Sequence, residues 1–334
     1  MISDDPQYYI DGVRQANRRI LAKTITLIES AHPAHRDLAR TIMERLLPDT
    51  GRAVRLGITG VPGVGKSTFV ESFGMMLVED GHKVAVLAVD PSSTRSGGSI
   101  MADKTRMEHL AVEQNAFIRP SPAGTTLGGV ARKTRETLLI CEAAGFDVII
   151  VETVGVGQSE TTVASMVDFF LVLMLAGAGD ELQGIKRGVL ELADAVAINK
   201  ADGNNIEKAR KARRLYENAL HLLNPVSSNW SPPVVTCSAL TVEGIREIWQ
   251  KIMSHRDIFE KSGELQLKRR TQALDWMWSM VEEELKYRFY SAPAIKESLP
   301  GIIRKVEKGI LSPAIAAGEL LFSLDNKSNN DCNC

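Results

Sequence analysis

The sequence predicts a three-layer α/β fold: a largely parallel β-sheet between two layers of helices, with helical extensions at both ends of the chain. Short apolar runs alternate with helix-forming segments between residues 54 and 253, as expected for parallel strands joined by crossover helices. Most runs are apolar throughout, which is typical of strands covered on both faces. With 334 residues, 44% of them hydrophobic, the chain can bury such a core.

Residues 1–50 are expected to form the helical extension at the start of the chain. Apolar side chains recur at helical spacing between Tyr8 and Leu47, and Pro33 interrupts the pattern. Two helices are therefore predicted before the core.

The core domain is expected to span residues 51–255. Its first strand should end in a glycine-rich turn, and further strands should alternate with helices. The predicted strands are 54–59, 83–89, 147–152, 169–175, 195–199 and 234–237.

Residues 256–325 are predicted to be a helical dimerisation region, followed by a flexible tail at 326–334. The charged, helix-forming stretch 263–290 carries Leu265, Leu274 and Trp278. Two interpretations stay open: a helix that packs on its own core, or an amphipathic arm that pairs two copies of the chain.

Composition excludes several classes of function. Lys and Arg total 40 against 41 Asp and Glu, so no overall positive field favours nucleic acid or an anionic membrane as a partner. No apolar run approaches the roughly 20 residues that span a bilayer. The acidic start does not resemble a signal peptide, and four sparse cysteines fit a reducing compartment. A cytoplasmic location is expected.

A phosphate-binding loop is predicted between the first strand and the following helix. Its glycines allow backbone N–H groups to surround an anion, while the lysine reaches the β and γ phosphates and the serine hydroxyl ligates Mg²⁺. The fold is thus expected to be that of P-loop NTPases. The residues that match this pattern, with the threonine that follows them, are Gly60, Val61, Pro62, Gly63, Val64, Gly65, Lys66, Ser67 and Thr68.

A guanine-binding motif, NKxD, follows the predicted strand 195–199 and consists of Asn199, Lys200 and Asp202. A carboxylate at Asp202 accepts from the N1–H and the exocyclic amine of guanine, whereas adenine offers neither donor there. The segment Ser238, Ala239 and Leu240 resembles the SA motif that supports the base. In chain order with the phosphate loop, these motifs predict GTP and GDP as ligands.

Three carboxylates are candidates for the metal site and the switch regions. Glu152 ends an apolar strand and precedes glycine, as in a Walker B and switch II segment; direct and water-mediated contact with Mg²⁺ both stay open. Asp90 follows the second strand and is a metal-ligand candidate, with a turn or capping Asp as the alternative. Asp103 is a looser candidate for a switch.

The chain resembles the MeaB/ArgK family of GTPases, which accompany adenosylcobalamin-dependent methylmalonyl-CoA mutase. The resemblance covers nearly the whole length. It is carried by GITGVPGVGKSTF at 57–69, AVDPSSTRSGGSIMADKTRM at 88–107, ETVGVGQSE at 152–160 and AGAGDELQGIKRGVLELAD at 176–194.

This resemblance implies roles for individual residues. Lys66 and Ser67 would grip phosphate and Mg²⁺, Asp90 and Glu152 would serve the metal, and Asp202 would read guanine. The same resemblance implies that Asp103 and Lys186 are switch residues. Lys186 would lie in an additional switch loop, where its cation would stabilise charge on the transferring phosphoryl group. A solvated lysine is the alternative for Lys186.

The resemblance also implies a homodimer with low intrinsic GTP hydrolysis that rises when the mutase binds. GTP would gate adenosylcobalamin loading by an adenosyltransferase and protect the mutase from inactivation; a related acyl-CoA mutase could take the same place. Two other functions are weighed against this one. Cys332 and Cys334 suggest a metallochaperone GTPase of the nickel-insertion type, and a protein kinase acting on a transport protein is the second.

Overall fold

The structure is a computed structural model that describes residues 3–30, 32–89, 107–120, 127–153, 159–176, 187–222 and 227–328. Its centre is a seven-stranded sheet in the order β3-β2-β4-β1-β5-β6-β7. Each of the six strand pairs in this sheet is parallel, which confirms the predicted fold class. The strands are β1 Val54–Gly60, β2 Val84–Val89, β3 Ala116–Arg119, β4 Val148–Thr153, β5 Phe169–Leu175, β6 Ala195–Asn199 and β7 Val234–Thr236.

Helices flank the sheet and extend the chain at both ends. In the described residues they are α1 Pro6–Arg14, α2 Arg18–Ile28, α3 Pro33–Leu46, α4 Lys66–Glu79, α5 Glu108–Val112, α6 Leu127–Ala143, α7 Ser159–Ala164, α8 Arg187–Glu191, α9 Ile206–His221, α10 Ile245–Ser262, α11 Glu264–Ser291, α12 Pro293–Glu307 and α13 Pro313–Ser328. None of the helices in this part of the chain is both long enough and apolar enough to cross a bilayer.

Two local predictions are wrong. In the described residues, three helices precede β1 instead of two. The first helix ends near Ala16, which adopts a positive φ of 53°. The Asn17 side chain then accepts from the N–H groups of Arg19 and Ile20 and caps the start of a new helix. The strands predicted from the sequence also omit β3, a four-residue edge strand in which only the first two residues are buried.

The sheet brings distant segments of the sequence to one edge. β1 lies between β4 and β5, so the chain changes direction across the sheet at β1. In parallel sheets, ligands bind outside the carboxyl ends of the strands at such a point. The segments that follow β1, β4 and β6 therefore meet at the carboxyl edge.

Buried ion pairs stabilise the opposite, amino edge. The Arg269 guanidinium lies 2.6 Å from the Asp168 carboxylate just before β5, and Arg55 lies 2.8 Å from the buried Glu142 carboxylate. Arg269 also donates to the carbonyl of Ala53 at 2.7 Å. The Arg269 bonds attach the first turns of α11 to the sheet, and the Arg55–Glu142 pair attaches α6 to β1.

The chain divides into two compact units between Gln272 and Ala273, within α11. The first unit contains the sheet and its helices. The second contains the rest of α11 together with α12 and α13. The domain boundaries expected from the sequence, after residues 50, 255 and 325, stay a prediction.

Candidate nucleotide-binding site

The phosphate-binding loop leaves β1 at Gly60 and enters α4 at Lys66. Val61 and Val64 are buried and anchor the loop, while Pro62 and Gly63 are exposed. Gly63 and Gly65 have φ angles of 73° and 88°, which side chains rarely adopt. The loop thus holds a conformation that depends on glycine.

Close packing also restricts the two ends of this loop to glycine. A Cβ on Gly60 would lie 2.5 Å from the Leu173 carbonyl oxygen, and a Cβ on Gly65 would lie 3.2 Å from the Asn199 Nδ2. The loop leads directly into the N-terminus of α4, whose first N–H groups have no partner within the helix. Such a loop fits a phosphate chain.

Lys66 places a half-buried ammonium group across the loop. Its Nζ donates to the Gly60 carbonyl at 2.6 Å. Burial lowers the pKa of the Lys66 ammonium, while the carboxylates of Glu152 and Glu160 act in the opposite direction. The cation therefore lies between the loop and two acidic side chains, where an incoming phosphate can replace the carbonyl as its partner.

Oxygen donors suitable for Mg²⁺ lie near Lys66. Ser67 is half-buried in the first turn of α4, and Thr68 beside it is exposed. Glu152 is buried near the end of β4, in register with Ile58 of β1. Mg²⁺ prefers such hard oxygen ligands, so this donor set fits the metal.

Asp90, Asp103 and Lys186 lie outside the described residues. Their metal and switch roles stay predictions.

Glu160 is a candidate residue to which the sequence analysis assigns no role. It lies in the first turn of α7, is buried, and contributes to the electrostatic environment of Lys66. Its only signal in the sequence is its place eight positions after Glu152, in a segment assigned to the switch.

The guanine motif is joined to the phosphate loop through Asn199. Its Nδ2 donates to the Val64 carbonyl at 2.8 Å, and its Oδ1 accepts from the Ala239 N–H at 3.0 Å. Asn199 is buried, so these bonds are shielded from water. One side chain thus fixes the distance between the phosphate loop, the NKxD segment and the SA segment.

Asp202 is held by the SA segment. Its carboxylate accepts from the Ser238 hydroxyl at 2.5 Å, and the Ser238 oxygen accepts in turn from the Thr241 N–H at 3.1 Å. Ser72 of α4 donates to the Ala239 carbonyl at 2.7 Å, and Leu240 is exposed. Lys200 adopts a positive φ of 59° next to this carboxylate. The arrangement fixes the orientation of the Asp202 carboxylate through one of its oxygens.

Comparison with known proteins agrees with this geometry. Residues 21–294 match the family described as methylmalonyl-CoA mutase-associated GTPase MeaB. The chain belongs to the MeaB family of GTPases. GTP hydrolysis is the activity of this family, and guanine nucleotides are its ligands.

Individual relatives extend the match over nearly the whole chain. A putative GTPase of Caulobacter vibrioides is 56% identical over 91% of this chain and 93% of its own length. The mouse protein named methylmalonic aciduria type A homolog, mitochondrial, is 47% identical over 98% of this chain and 82% of its own. The crystal structure of a protein named LAO/AO transport system kinase is 42% identical, covers 96% of this chain and 97% of its own, and superposes with a TM-score of 0.78.

Proposed function

We propose that this MeaB-family chain is a magnesium-dependent GTPase that acts as a chaperone of methylmalonyl-CoA mutase or a related adenosylcobalamin-dependent acyl-CoA mutase. In this role it gates the loading of adenosylcobalamin by an adenosyltransferase and protects the mutase from inactivation. The observation that carries the nucleotide part is the hydrogen-bonded path from Val64 through Asn199 to Ala239, beside the Ser238–Asp202 bond. The family description and the name of the mouse relative support the mutase as partner.

The residues at the carboxyl edge have distinct roles in this proposal. Backbone N–H groups of the loop 60–68, except at Pro62, which has none, surround the phosphates, and Lys66 exchanges the Gly60 carbonyl for a phosphate oxygen. Ser67 and Glu152, with Asp90, would hold Mg²⁺, and the bound ion would neutralise negative charge on the phosphates. Asp202 selects guanine because adenine would leave its charge unpaired.

Partner binding is proposed to accelerate hydrolysis through Asp103 and Lys186. A lysine ammonium brought to the transferring phosphoryl group stabilises the charge that develops there. GTP hydrolysis is then slow in the absence of the mutase and becomes faster when the mutase binds. The two nucleotide states would favour different complexes of the chaperone.

A homodimer is proposed for the second unit. On α11, Leu274, Trp278, Val281 and Leu285 are exposed at successive spacings of four, three and four residues. This is the heptad spacing of helices that pair along one seam. Light scattering of the full chain and of a Trp278→Glu, Leu285→Glu variant tests the seam: loss of a dimer mass in the variant supports it, and an unchanged mass contradicts it.

The central experiment measures GTP turnover with and without purified candidate mutases. The wild-type chain is expected to be stimulated, Lys66→Ala to lose turnover in both conditions, and Lys186→Ala to keep basal turnover with weaker stimulation. Lys208→Ala, an exposed lysine of α9, is the matched control and should behave as wild type. Equal stimulation of the Lys66 and Lys186 variants contradicts the assigned roles.

The kinase alternative has one observation in its favour, the name of the protein in the similar crystal structure. It predicts transfer of labelled phosphate from ATP to a protein acceptor. Asp202, held by Ser238, argues against ATP as the donor. Label transfer from ATP that GTP does not reproduce would replace the GTPase proposal.

Cys332 and Cys334, on which the metallochaperone alternative rests, lie outside the described residues.

A further inference from the structure

A cavity lies at the amino edge of β5 and β6, away from the nucleotide site. Its volume is about 480 Å³, within the size range of pockets that bind small molecules. Leu190, Trp230, Phe259 and Leu267 form its apolar walls. All of its lining residues belong to the first compact unit.

One wall of the cavity is aromatic and fixed in orientation. The Trp230 indole N–H donates to the Asp194 carbonyl at 2.8 Å. Behind Phe259 lies the buried imidazole of His255, with ring centroids 3.9 Å apart, and the same imidazole meets Trp230 edge-on at 5.0 Å. Such a wall is preorganised, so a bound ligand need not order it.

The charged residues of the lining are mostly acidic. Three carboxylates, from Glu191, Asp194 and Glu264, accompany one ammonium group, from Lys268. Lys268 pairs with Asp194 at 3.4 Å and donates to the Asp168 carbonyl at 2.7 Å. Asp194 also accepts from the Phe170 N–H at 2.8 Å, and Glu264 accepts from the neutral Asn229 amide, so this one cation does not balance the carboxylates. The excess of carboxylate favours a positive ligand over an anion.

His255 adds a buried polar atom beside this charge. Its Nε2 lies 3.7 Å from Asp194 Oδ1 and has no hydrogen-bond partner among the described residues. Burial lowers the pKa of His255 to about 4, so the ring adds no positive charge at neutral pH.

We propose that this cavity binds an organic ammonium ion carried on an apolar body about the size of one aromatic ring. The apolar body fills the space between Leu190, Trp230 and Leu267, and removal of this surface from water supplies most of the binding free energy. The ammonium group meets the Asp194 and Glu264 carboxylates and the face of an aromatic ring. An acidic ligand of the same shape is repelled.

Three probes of matched shape test this proposal on the full chain loaded with GDP: phenethylamine, phenethyl alcohol and hydrocinnamate. Binding is followed by NMR of the indole N–H signals of labelled tryptophan, of which the chain has four. The Trp230 signal, assigned with Trp230→Phe, should shift saturably with phenethylamine. Trp249, which packs against Phe73 and His82, is the internal control and should not shift. The amine should bind at least about tenfold more tightly than the acid.

Two pairs of variants separate the site from general effects. Thr271→Phe, on the rim, should block phenethylamine, whereas Gln266→Phe, exposed on the same helix but outside the lining, should not. Glu264→Gln should weaken phenethylamine several-fold and leave phenethyl alcohol unchanged, with Glu260→Gln as its control. Absence of a saturable Trp230 shift, equal affinity for the amine and the acid, or binding that Thr271→Phe does not alter would each overturn the proposal.

Discussion

The two edges of the sheet use buried charge in opposite ways. At the amino edge, Asp168 and Arg269 neutralise each other at 2.6 Å, and Glu142 does the same with Arg55 at 2.8 Å. At the carboxyl edge, Lys66 donates to a neutral carbonyl of its own loop. These two amino-edge pairs are matched within the fold, whereas Lys66 at the carboxyl edge lies between its loop and the carboxylates of Glu152 and Glu160, where we propose that it meets a phosphate.

This difference predicts which property each mutation changes. Loss of a matched charge at the amino edge leaves its partner buried and unpaired, which lowers the free energy of unfolding. Loss of a ligand-directed group at the carboxyl edge changes nucleotide binding and leaves the fold nearly unaffected. Mutations at the two edges can therefore be told apart by measuring stability and affinity together.

The largest effect is expected from Asp168→Ala. The variant leaves Arg269 without its carboxylate, so the free energy of unfolding should fall by about 3–5 kcal/mol, measured by urea unfolding. GDP affinity of the folded fraction should not change. Asp257→Ala, an exposed carboxylate on α10, is the control. A variant as stable as wild type would show that this pair does not stabilise the amino edge.

His255, at the same edge, predicts a dependence of stability on pH. Burial lowers its pKa from 6.5 to about 4, so between these values the unfolded chain binds a proton that the folded chain does not. Stability is therefore full above pH 6.5 and falls as the pH decreases towards 4, by up to about 3 kcal/mol. His255→Phe should show a smaller loss between about pH 7 and pH 5, and His221→Phe, an exposed histidine, should follow wild type. Parallel curves for wild type and His255→Phe would contradict this assignment.

At the carboxyl edge, Ser238→Ala should weaken GDP binding without a matching loss of stability. The Ser238 hydroxyl donates to Asp202 at 2.5 Å, and a hydrogen bond to a charged group contributes about 1.5–3 kcal/mol. Calorimetry should show that the variant binds GDP at least about tenfold more weakly than wild type does. Its preference for GDP over ADP should also be smaller. Ser254→Ala, on an exposed face of α10, is the control. Unchanged affinity would show that Asp202 needs no support from Ser238.

The sequence is informative wherever function depends on residues close together in the chain. The loop 60–68 and the segment 199–202 each follow a strand, so their positions at one edge follow from the parallel arrangement. Asn199 is recognisable as part of a motif, but its bonds to Val64 and Ala239 join segments 135 and 40 residues away. Such partners depend on packing, which local patterns do not encode.

The amino edge cannot be predicted from sequence for the same reason. Asp168 and Arg269 are 101 residues apart, and each alone resembles an ordinary surface charge. Glu160 ends the motif segment 152–160 but receives no role there, because its relation to Lys66 arises only when α7 packs beside β1. The helix start at Asn17, by contrast, carries a capping signal that the predicted count of two helices overlooks.

The smallest effect is expected from Arg246→Ala, which tests whether burial, rather than ion pairing alone, explains the amino edge. Arg246 pairs with Asp80 at 2.7 Å, a distance similar to that of Arg269 and Asp168, but the Arg246 side chain is 60% exposed and that of Arg269 only 17%. Water solvates both partners of the exposed pair after mutation, so little stability is lost. The urea midpoint should be indistinguishable from that of wild type. A loss as large as that of Asp168→Ala would mean that geometry, and not burial, determines what these pairs contribute.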